Sequence, residues 1–465
     1  MKISEFTKWS NRATAWGQRY LDGLRARPVR AQLKPGEIAA LLPARAPEEA
    51  EDMETIFADF TRIVPDGMTH WQHPRFFAYF PANAAPASMV AEQLANTMAA
   101  QCMLWQTSPA ATEIEAKMID WLRDALGLAG HFTGVIQDSA TSATLSALLT
   151  MRERALDWQG NMKGLAGAGR LRVYASDQTH SSIDKGVRIA GIGQENLIKV
   201  ATDDNFAMRP EALCAAIRAD RAAGYLPAGV IVCVGGTSIG ASDDVAAIIN
   251  VAKDEGLYTH VDAAWAGSAM ICPELRPLWA GVDGADSIVF NPHKWLGAQF
   301  DCSVQFLADA APQLRTLGLR PDYLQTQGVE EVTNYNEWTI PLGRRFRALK
   351  LWFLMRAYGL EGLRTRIRNH ITWAGELAEK IDALPDFCVT SKPRLALFTF
   401  QYTPNGQDAD AASADLLAAI NDEGRVYLTQ TTHQGKFVIR VSVGQFDCTR
   451  EDVMEVLHSL TRLRG

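Results

Sequence analysis

Lys294 is the first residue whose type and setting suggest chemistry. It stands in the run Asp286-Ser-Ile-Val-Phe-Asn-Pro-His-Lys-Trp-Leu-Gly297. The four residues 287–290 are short, apolar and β-branched in character, which predicts a buried strand. Asn291-Pro292 stops it, because proline has no N–H for the next ladder bond. The amine therefore falls on a loop just past a strand end, beside His293 and Trp295. Low polarity there favours the neutral, nucleophilic amine, so Lys294 is a candidate Schiff-base nucleophile. The alternative is a lysine whose stem runs past Trp295 to solvent.

Other polar residues follow apolar stretches in the same way. Asp262 ends the stretch 257–261, where its generic role is a cap or turn. His180 lies in Asp177-Gln-Thr-His-Ser-Ser-Ile-Asp-Lys after the stretch 171–175, where a lone histidine is usually structural or exposed. Gly235-Gly-Thr-Ser238 follows 229–234 and reads as a tight turn. Ser139-Ala-Thr141 opens a helical pattern over 142–158; its hydroxyls and free N–H groups serve either as an anion site or as a plain N-cap.

The elements that must position these residues show in the periodicity. Residues 112–126 have apolar positions at helical spacing, and short apolar strands follow at 171–175, 197–200, 229–234, 257–261 and 287–290, mostly with helical segments between. Such alternation predicts a mainly parallel sheet covered by helices on both faces, with ligands outside the carboxyl ends of its strands. Residues 1–83 form a helical arm with little core of its own, 84–355 the large domain, and 356–465 a smaller α/β domain whose stretches 395–402, 426–430 and 437–443 read as antiparallel strands. The polar stretch 314–336 has no clear period and reads as a long loop of the lid type, with Tyr323 as its notable residue.

Composition excludes several function classes. The chain has 465 residues, 47% of them apolar, enough for a large core. A net charge of -7 leaves no electrostatic footprint for nucleic acid or an anionic membrane. No apolar run is long enough to span a bilayer, and the N-terminus carries no apolar signal core. Seven cysteines without paired metal-ligand spacing are most simply free thiols in a reducing cytoplasm, and no metal site is expected.

Asn291-Pro-His-Lys-Trp, with Ser287 seven positions before the lysine, resembles the lysine motif of the pyridoxal-phosphate-dependent group II amino-acid decarboxylases, with closer likeness to the aromatic-L-amino-acid decarboxylase branch in a bacterial-type member. The likeness runs from about Arg27-Pro-Val to the C-terminus, and separate motifs keep the family's order. It implies the fold-type I architecture of aspartate aminotransferase and pyridoxal 5'-phosphate as cofactor. It further implies decarboxylation of an aromatic L-amino acid (tryptophan, 5-hydroxytryptophan, tyrosine, Dopa or phenylalanine) in a homodimer with shared sites.

Residue roles carry over by position. Lys294 would hold the cofactor, Asp262 (in His260-Val-Asp-Ala-Ala-Trp-Ala-Gly) would pair with the pyridine nitrogen, and His180 would stack on the ring. Ser139, Ala140, Thr141 and Asn291 would bind the phosphate. Thr237, Ala264 and His293 would complete the cofactor shell. Tyr323, helped by His293, would protonate Cα. Trp71, Tyr79, Phe80, Pro81 and Ala82 match the HPxFxAYFP segment that lines the substrate pocket, and aromatic walls suit a flat ring. Gln101 and Met103 match positions reaching in from the partner subunit, and His180 borders substrate as well.

The chain departs from the family pattern at several places. Ala82 replaces threonine, Asp138 glycine, Thr141 a second serine, Gly236 a threonine, and Trp265 a tyrosine; Gln101 and Met103 replace apolar and aromatic residues. Asp138 is expected to turn away from the phosphate or to bond backbone. Gly343 leaves space where phenol-selective plant relatives have serine, which tilts the reading toward indoles, although Gln101 offers a partner for a ring hydroxyl. The runner-up activity is that of an aromatic aldehyde synthase of the same family, which tends to lose the loop tyrosine or the stacking histidine. A glutamate decarboxylase would want cationic substrate contacts, and a non-catalytic relative would not need Lys294, Asp262 and His180 together.

Overall fold

A computed structural model describes residues 1–319 and 332–464. The chain divides into two compact units, Ala82–Thr372 with Pro393–Phe398, and Met1–Pro81 with Trp373–Lys392 and Thr399–Gly465.

The larger unit is built on a seven-stranded sheet of order β1-β7-β6-β5-β4-β2-β3. The strands are β1 Thr133–Gln137, β2 Leu171–Ser176, β3 Leu197–Val200, β4 Leu226–Cys233, β5 Tyr258–Asp262, β6 Ser287–Phe290 and β7 Ser303–Leu307. Strands β3, β2, β4, β5 and β6 run parallel, as the alternation predicts. Strand β7, which that pattern does not single out, runs antiparallel between β6 and β1. Two antiparallel steps bring β1 back into the direction of β6, so the carboxyl ends of β1, β2, β4, β5 and β6 share one edge.

The strands are buried on both faces because helices cover them. The helix Ala140–Ala155 presents Ala147, Leu148 and Met151 to Val173, Ala175 and Ile231. Each of the larger ones, Leu148, Met151, Val173 and Ile231, contributes about 1.5–3 kcal/mol. Some interior polar groups pair across the sheet: Gln137 Nε2 donates to Gln305 Oε1 at 3.0 Å, and His260 bridges Thr144 and Ser287 at 3.2 and 3.0 Å.

The crossover from Asp262 to Lys294 carries three 3-10 turns, Ala266–Ile271, Pro273–Trp279 and Val282–Gly284, and no α-helix. Pro273 and Pro277 deny the N–H groups an α ladder needs. The predicted loop 314–336 is narrower than expected, since a helix occupies Ala311–Leu317 and a 3-10 turn Tyr335–Trp338.

In the smaller unit a sheet of order β10-β11-β9-β8 comprises β8 Phe387–Arg394, β9 Leu397–Tyr402, β10 Thr429–His433 and β11 Lys436–Ser442. The N-terminal helices Phe6–Asp22 and Met53–Ile63 pack on each other through Trp9–Phe57 and Trp16–Phe60, at 6.1 and 4.8 Å between ring centres. The chain that follows binds the rest of this unit: Val29 N–H donates to Gly424, Arg25 pairs with Asp452, and Phe76 bridges to Tyr427.

Candidate active site

Five strand ends deliver the candidate residues to one edge of the large sheet. β1 leads through Asp138 to Ser139, β2 to His180, β4 to Thr237, β5 to Asp262 and Ala264, and β6 to Asn291, His293 and Lys294.

The lysine turn is held on several sides. Pro292–Leu296 is a single wide turn closed by Gly297 N–H on the Pro292 carbonyl, five residues back, and Gly297 ends it with φ 104°. Such wide turns gather at functional sites. Asn83 grips this turn twice, its backbone N–H donating to His293 O at 3.0 Å and its Nδ2 to Lys294 O at 2.6 Å. Lys294 is half-buried while Pro292, His293, Trp295 and Leu296 are buried. Asn83 carries no motif signal in the sequence; its proximity is a product of the fold.

Asp262 is 8% exposed, and one carboxylate oxygen accepts the Ala264 N–H at 3.1 Å. The Ala264 carbonyl takes the Asn291 N–H at 2.8 Å, which ties the Asp262 turn to the lysine turn. His180 Nδ1 accepts the Ser182 N–H at 3.1 Å and lies 2.9 Å from its hydroxyl, so the neutral ring carries its proton on Nε2. His180 is exposed at the sheet edge; partial desolvation lowers its pKa, with Asp262 raising it and Lys294 lowering it. The imidazole thus lies within the electrostatic reach of both other candidates.

A set of hydrogen-bond donors forms at β1 and β6. Ser139 caps its helix by accepting the Ser142 N–H at 3.2 Å; Ala140 and Thr141 sit in the first turn. Asp138 accepts the Ser139 N–H at 2.7 Å, the backbone bond expected of it. Asn291 Oδ1 accepts from Ser303 at 2.7 Å, which leaves its Nδ2 as the donating end. His293 Nδ1 accepts the Cys302 N–H at 2.9 Å, and burial, then Lys294, pushes its pKa down to about 3. The neutral ring therefore carries its proton on Nε2.

Thr237 is half-buried on a turn that Gly235 makes possible. Gly235 has φ 76°, and a β-carbon there would stand 2.5 Å from that of Ala266.

Trp71, Tyr79, Phe80 and Pro81 belong to the smaller unit. Trp71 and Tyr79 are exposed and stack at 5.7 Å, whereas Phe80 and Pro81 are buried. Their segment is not a strand: Tyr79 takes φ 43°, held by the buried Arg440, which donates to its carbonyl and lies 4.7 Å from the centre of the Phe80 ring. Sequence reasoning misses Arg440 altogether.

In the larger unit Ala82 is half-buried, Gln101 exposed and Met103 half-buried. The Gln101 amide takes up the space expected beside Gly343, where a β-carbon would meet its Nε2 at 3.0 Å. Tyr323 lies outside the described residues.

Among the described residues there is no cluster able to hold a metal, and no helix is long and apolar enough to cross a membrane. Each of the seven cysteines is a free thiol.

Residues 35–403 match the model of the pyridoxal-dependent decarboxylase conserved domain. The chain is 39% identical to phenylacetaldehyde synthase of Arabidopsis thaliana over 430 residues, covering 90% of this chain and 87% of that protein. It is 37% identical to aromatic-L-amino-acid decarboxylase of Rattus norvegicus over 457 residues, with 95% and 94% covered. Among solved structures, that of Oryza sativa TDC with PLP and tryptamine superposes with a TM-score of 0.96 at 33% identity, covering 100% of this chain and 98% of that one. With this match over most of its length, and with a lysine, a buried carboxylate and a histidine gathered at one sheet edge, the chain belongs to the pyridoxal-dependent decarboxylase family.

Proposed function

We propose that this protein removes the carboxylate of an aromatic L-amino acid, releasing the arylalkylamine and carbon dioxide, with pyridoxal 5'-phosphate as its cofactor. The observation that carries the reading is the convergence of Lys294, Asp262 and His180 at the carboxyl ends of parallel strands of one sheet.

The residues present fit that cofactor. Asn291 Nδ2, the hydroxyls of Ser139 and Thr141 and the N–H groups of Ala140 and Thr141 make a donor set suited to a phosphate. The buried Asp262 carboxylate accepts one backbone N–H and suits a protonated ring nitrogen. Thr237 and Ala264 complete the shell, and His180 supplies a flat face. When bound, the cofactor provides the electron sink for the pair left by the broken Cα–carboxylate bond.

The protein's own groups do the rest. The Lys294 amine would anchor the cofactor, give way to the substrate amine and return at product release. Asp262 would hold a proton on the ring nitrogen of the bound cofactor. Tyr323 holds the proton destined for Cα, and His293, neutral at working pH, assists by donating from Nε2 rather than as a charged acid. The family resemblance assigns Trp71, Tyr79, Phe80, Pro81 and Ala82 to the border of the substrate ring, and Gln101 and Met103 to the site of a partner copy.

The apolar surface left open supports a homodimer. Val90, Leu94 and Met98 recur every four residues along and just past the helix Pro86–Thr97, and all three are exposed. Residues 1–83 are assigned to wrapping the partner, 84–355 to the cofactor-binding domain and 356–465 to the small domain. A cytoplasmic setting suits the free thiols.

Incubation with tryptophan, 5-hydroxytryptophan, tyrosine, Dopa and phenylalanine, followed by chromatography, tests the reading. Amine from at least one of them is expected. Aldehyde and hydrogen peroxide as the main products would shift the assignment to an aromatic aldehyde synthase. No turnover of any would overturn both.

A further inference from the structure

Three buried rings pack behind the lysine turn. Trp265 and Trp295 stack with centres 4.9 Å apart and planes 16° from parallel. Trp295 then lies nearly parallel to His370, at 9° and 6.5 Å, and its Nε1–H donates to His370 Nδ1 at 2.9 Å. Trp265, Trp295 and His370 are 1%, 0% and 0% exposed. Trp295 adjoins Lys294 within the wide turn, and Trp265 lies three residues past Asp262. Ring atom Cε3 of Trp265 also stands 3.3 Å from where a β-carbon on Gly235 would be, at the turn that leads to Thr237.

A fully buried indole N–H needs an acceptor, and losing one costs more than the bond itself contributes. His370 meets that need from the helical segment that follows the break at Gly359, 75 residues away in sequence.

We propose that His370 is a positioning residue for Lys294: by accepting the Trp295 N–H it fixes the turn on which the lysine stands, and through the Trp265–Trp295 stack it sets that turn against the Asp262 strand end. The inference rests on the proposed role of Lys294 as cofactor anchor. His370 touches neither cofactor nor substrate in this scheme. Its effect should appear in the basicity and retention of the cofactor–lysine adduct.

The experiment compares His370→Leu, which fills similar space without an acceptor, with His370→Asn, whose Oδ1 can replace Nδ1, and with Trp295→Phe, which keeps a ring but has no donor. Purified holoenzyme is titrated spectrophotometrically with pH, and the pyridoxal phosphate dissociation constant is measured after resolution and reconstitution. His370→Leu and Trp295→Phe should each move the spectral midpoint and weaken cofactor binding about fivefold or more, the size of one lost hydrogen bond. The double variant should add little to either, and His370→Asn should restore both values.

Unchanged midpoint and affinity in His370→Leu, or additive effects in the double variant, would overturn the proposal. If His370→Leu is not recovered soluble, Trp295→Phe against His370→Asn carries the same comparison, and an unshifted Trp295→Phe refutes it. Lys294→Ala is the control for the underlying reading. If it still forms the adduct band, the anchor assignment fails, independently of His370.

Discussion

The side-chain carbonyl of Gln101 accepts the backbone N–H of Arg344 at 2.9 Å, and this bond holds its amide nitrogen over Gly343. The room that an isolated glycine suggests is therefore already filled, and the tilt toward indoles drawn from Gly343 loses its physical basis. Gly343→Ser should displace Gln101 and cost about 1 kcal/mol of stability, the value of the bond to Arg344. Gln101→Ala in the same chain should recover most of the space and shift preference between tryptophan and tyrosine. The check is thermal unfolding with kcat/KM for both substrates; strictly additive effects would show that the two residues do not compete for space.

Lys294→Ala should abolish turnover and the absorbance band near about 420 nm while leaving the fold intact, since the amine is both anchor and catalyst. Circular dichroism controls for folding. Multiple turnover at a near wild-type rate would sink the assignment.

Asp262→Ala should cost several kcal/mol of transition-state stabilisation, because a ring nitrogen without its proton makes a poor electron sink. His180→Gln should slow the reaction less and loosen the cofactor. An Asp262→Ala variant whose kcat stays within about threefold of wild type would mean that another group holds the nitrogen.

Tyr323→Phe keeps the ring but removes the proton assigned to Cα. Carbon dioxide release should persist, while oxygen intercepts the carbanion and gives aldehyde, ammonia and hydrogen peroxide in place of much of the amine. Product partition in air against anaerobic buffer measures this. Amine alone at an unchanged rate would remove Tyr323 as the donor.

Acid should destabilise the protein through its buried histidines. Burial lowers His293 and His370 to about 3 and His260 to about 4. These rings stay neutral in the fold but take up protons below their ordinary value of about 6.5 once unfolded. The unfolded state therefore binds more protons in this window, so their contribution is complete above about pH 6.5 and is lost as pH falls toward the folded values. Each contributes a slope approaching about 1.4 kcal/mol per pH unit, so three together should remove about 4 kcal/mol between pH 7.5 and 5.5. Asp243, raised to about 6 mainly by burial, works in the opposite direction between its ordinary value and about 6. Urea unfolding at the two pH values reads the balance; a flat or rising stability on acidification would contradict it.

Much of the chemistry was legible in the chain itself because each reactive residue follows its own strand within a few positions. A β-branched run ended by Asn291-Pro292 announces where Lys294 must emerge, and the same local logic places Asp262 after β5 and His180 after β2. Parallel alternation then requires those ends to share an edge, without any knowledge of packing. Less local features escaped. Strand β7 has the same short apolar pattern as its parallel neighbours, so nothing in it announces its antiparallel insertion, and Pro273 and Pro277 leave 3-10 turns where an α-helix would cover the sheet.

What only the tertiary structure decided is which distant side chain completes each local turn. Asn83 reaches the Lys294 carbonyl from 211 residues away, Arg440 holds Tyr79 across 361, Gln101 meets Arg344 across 243, and His370 receives Trp295 across 75. None of these pairs has a spacing or a composition that marks it in one dimension. Periodicity reports which face of an element is buried, whereas a buried donor's need for one particular acceptor is met by whatever the folded chain brings within about 3 Å.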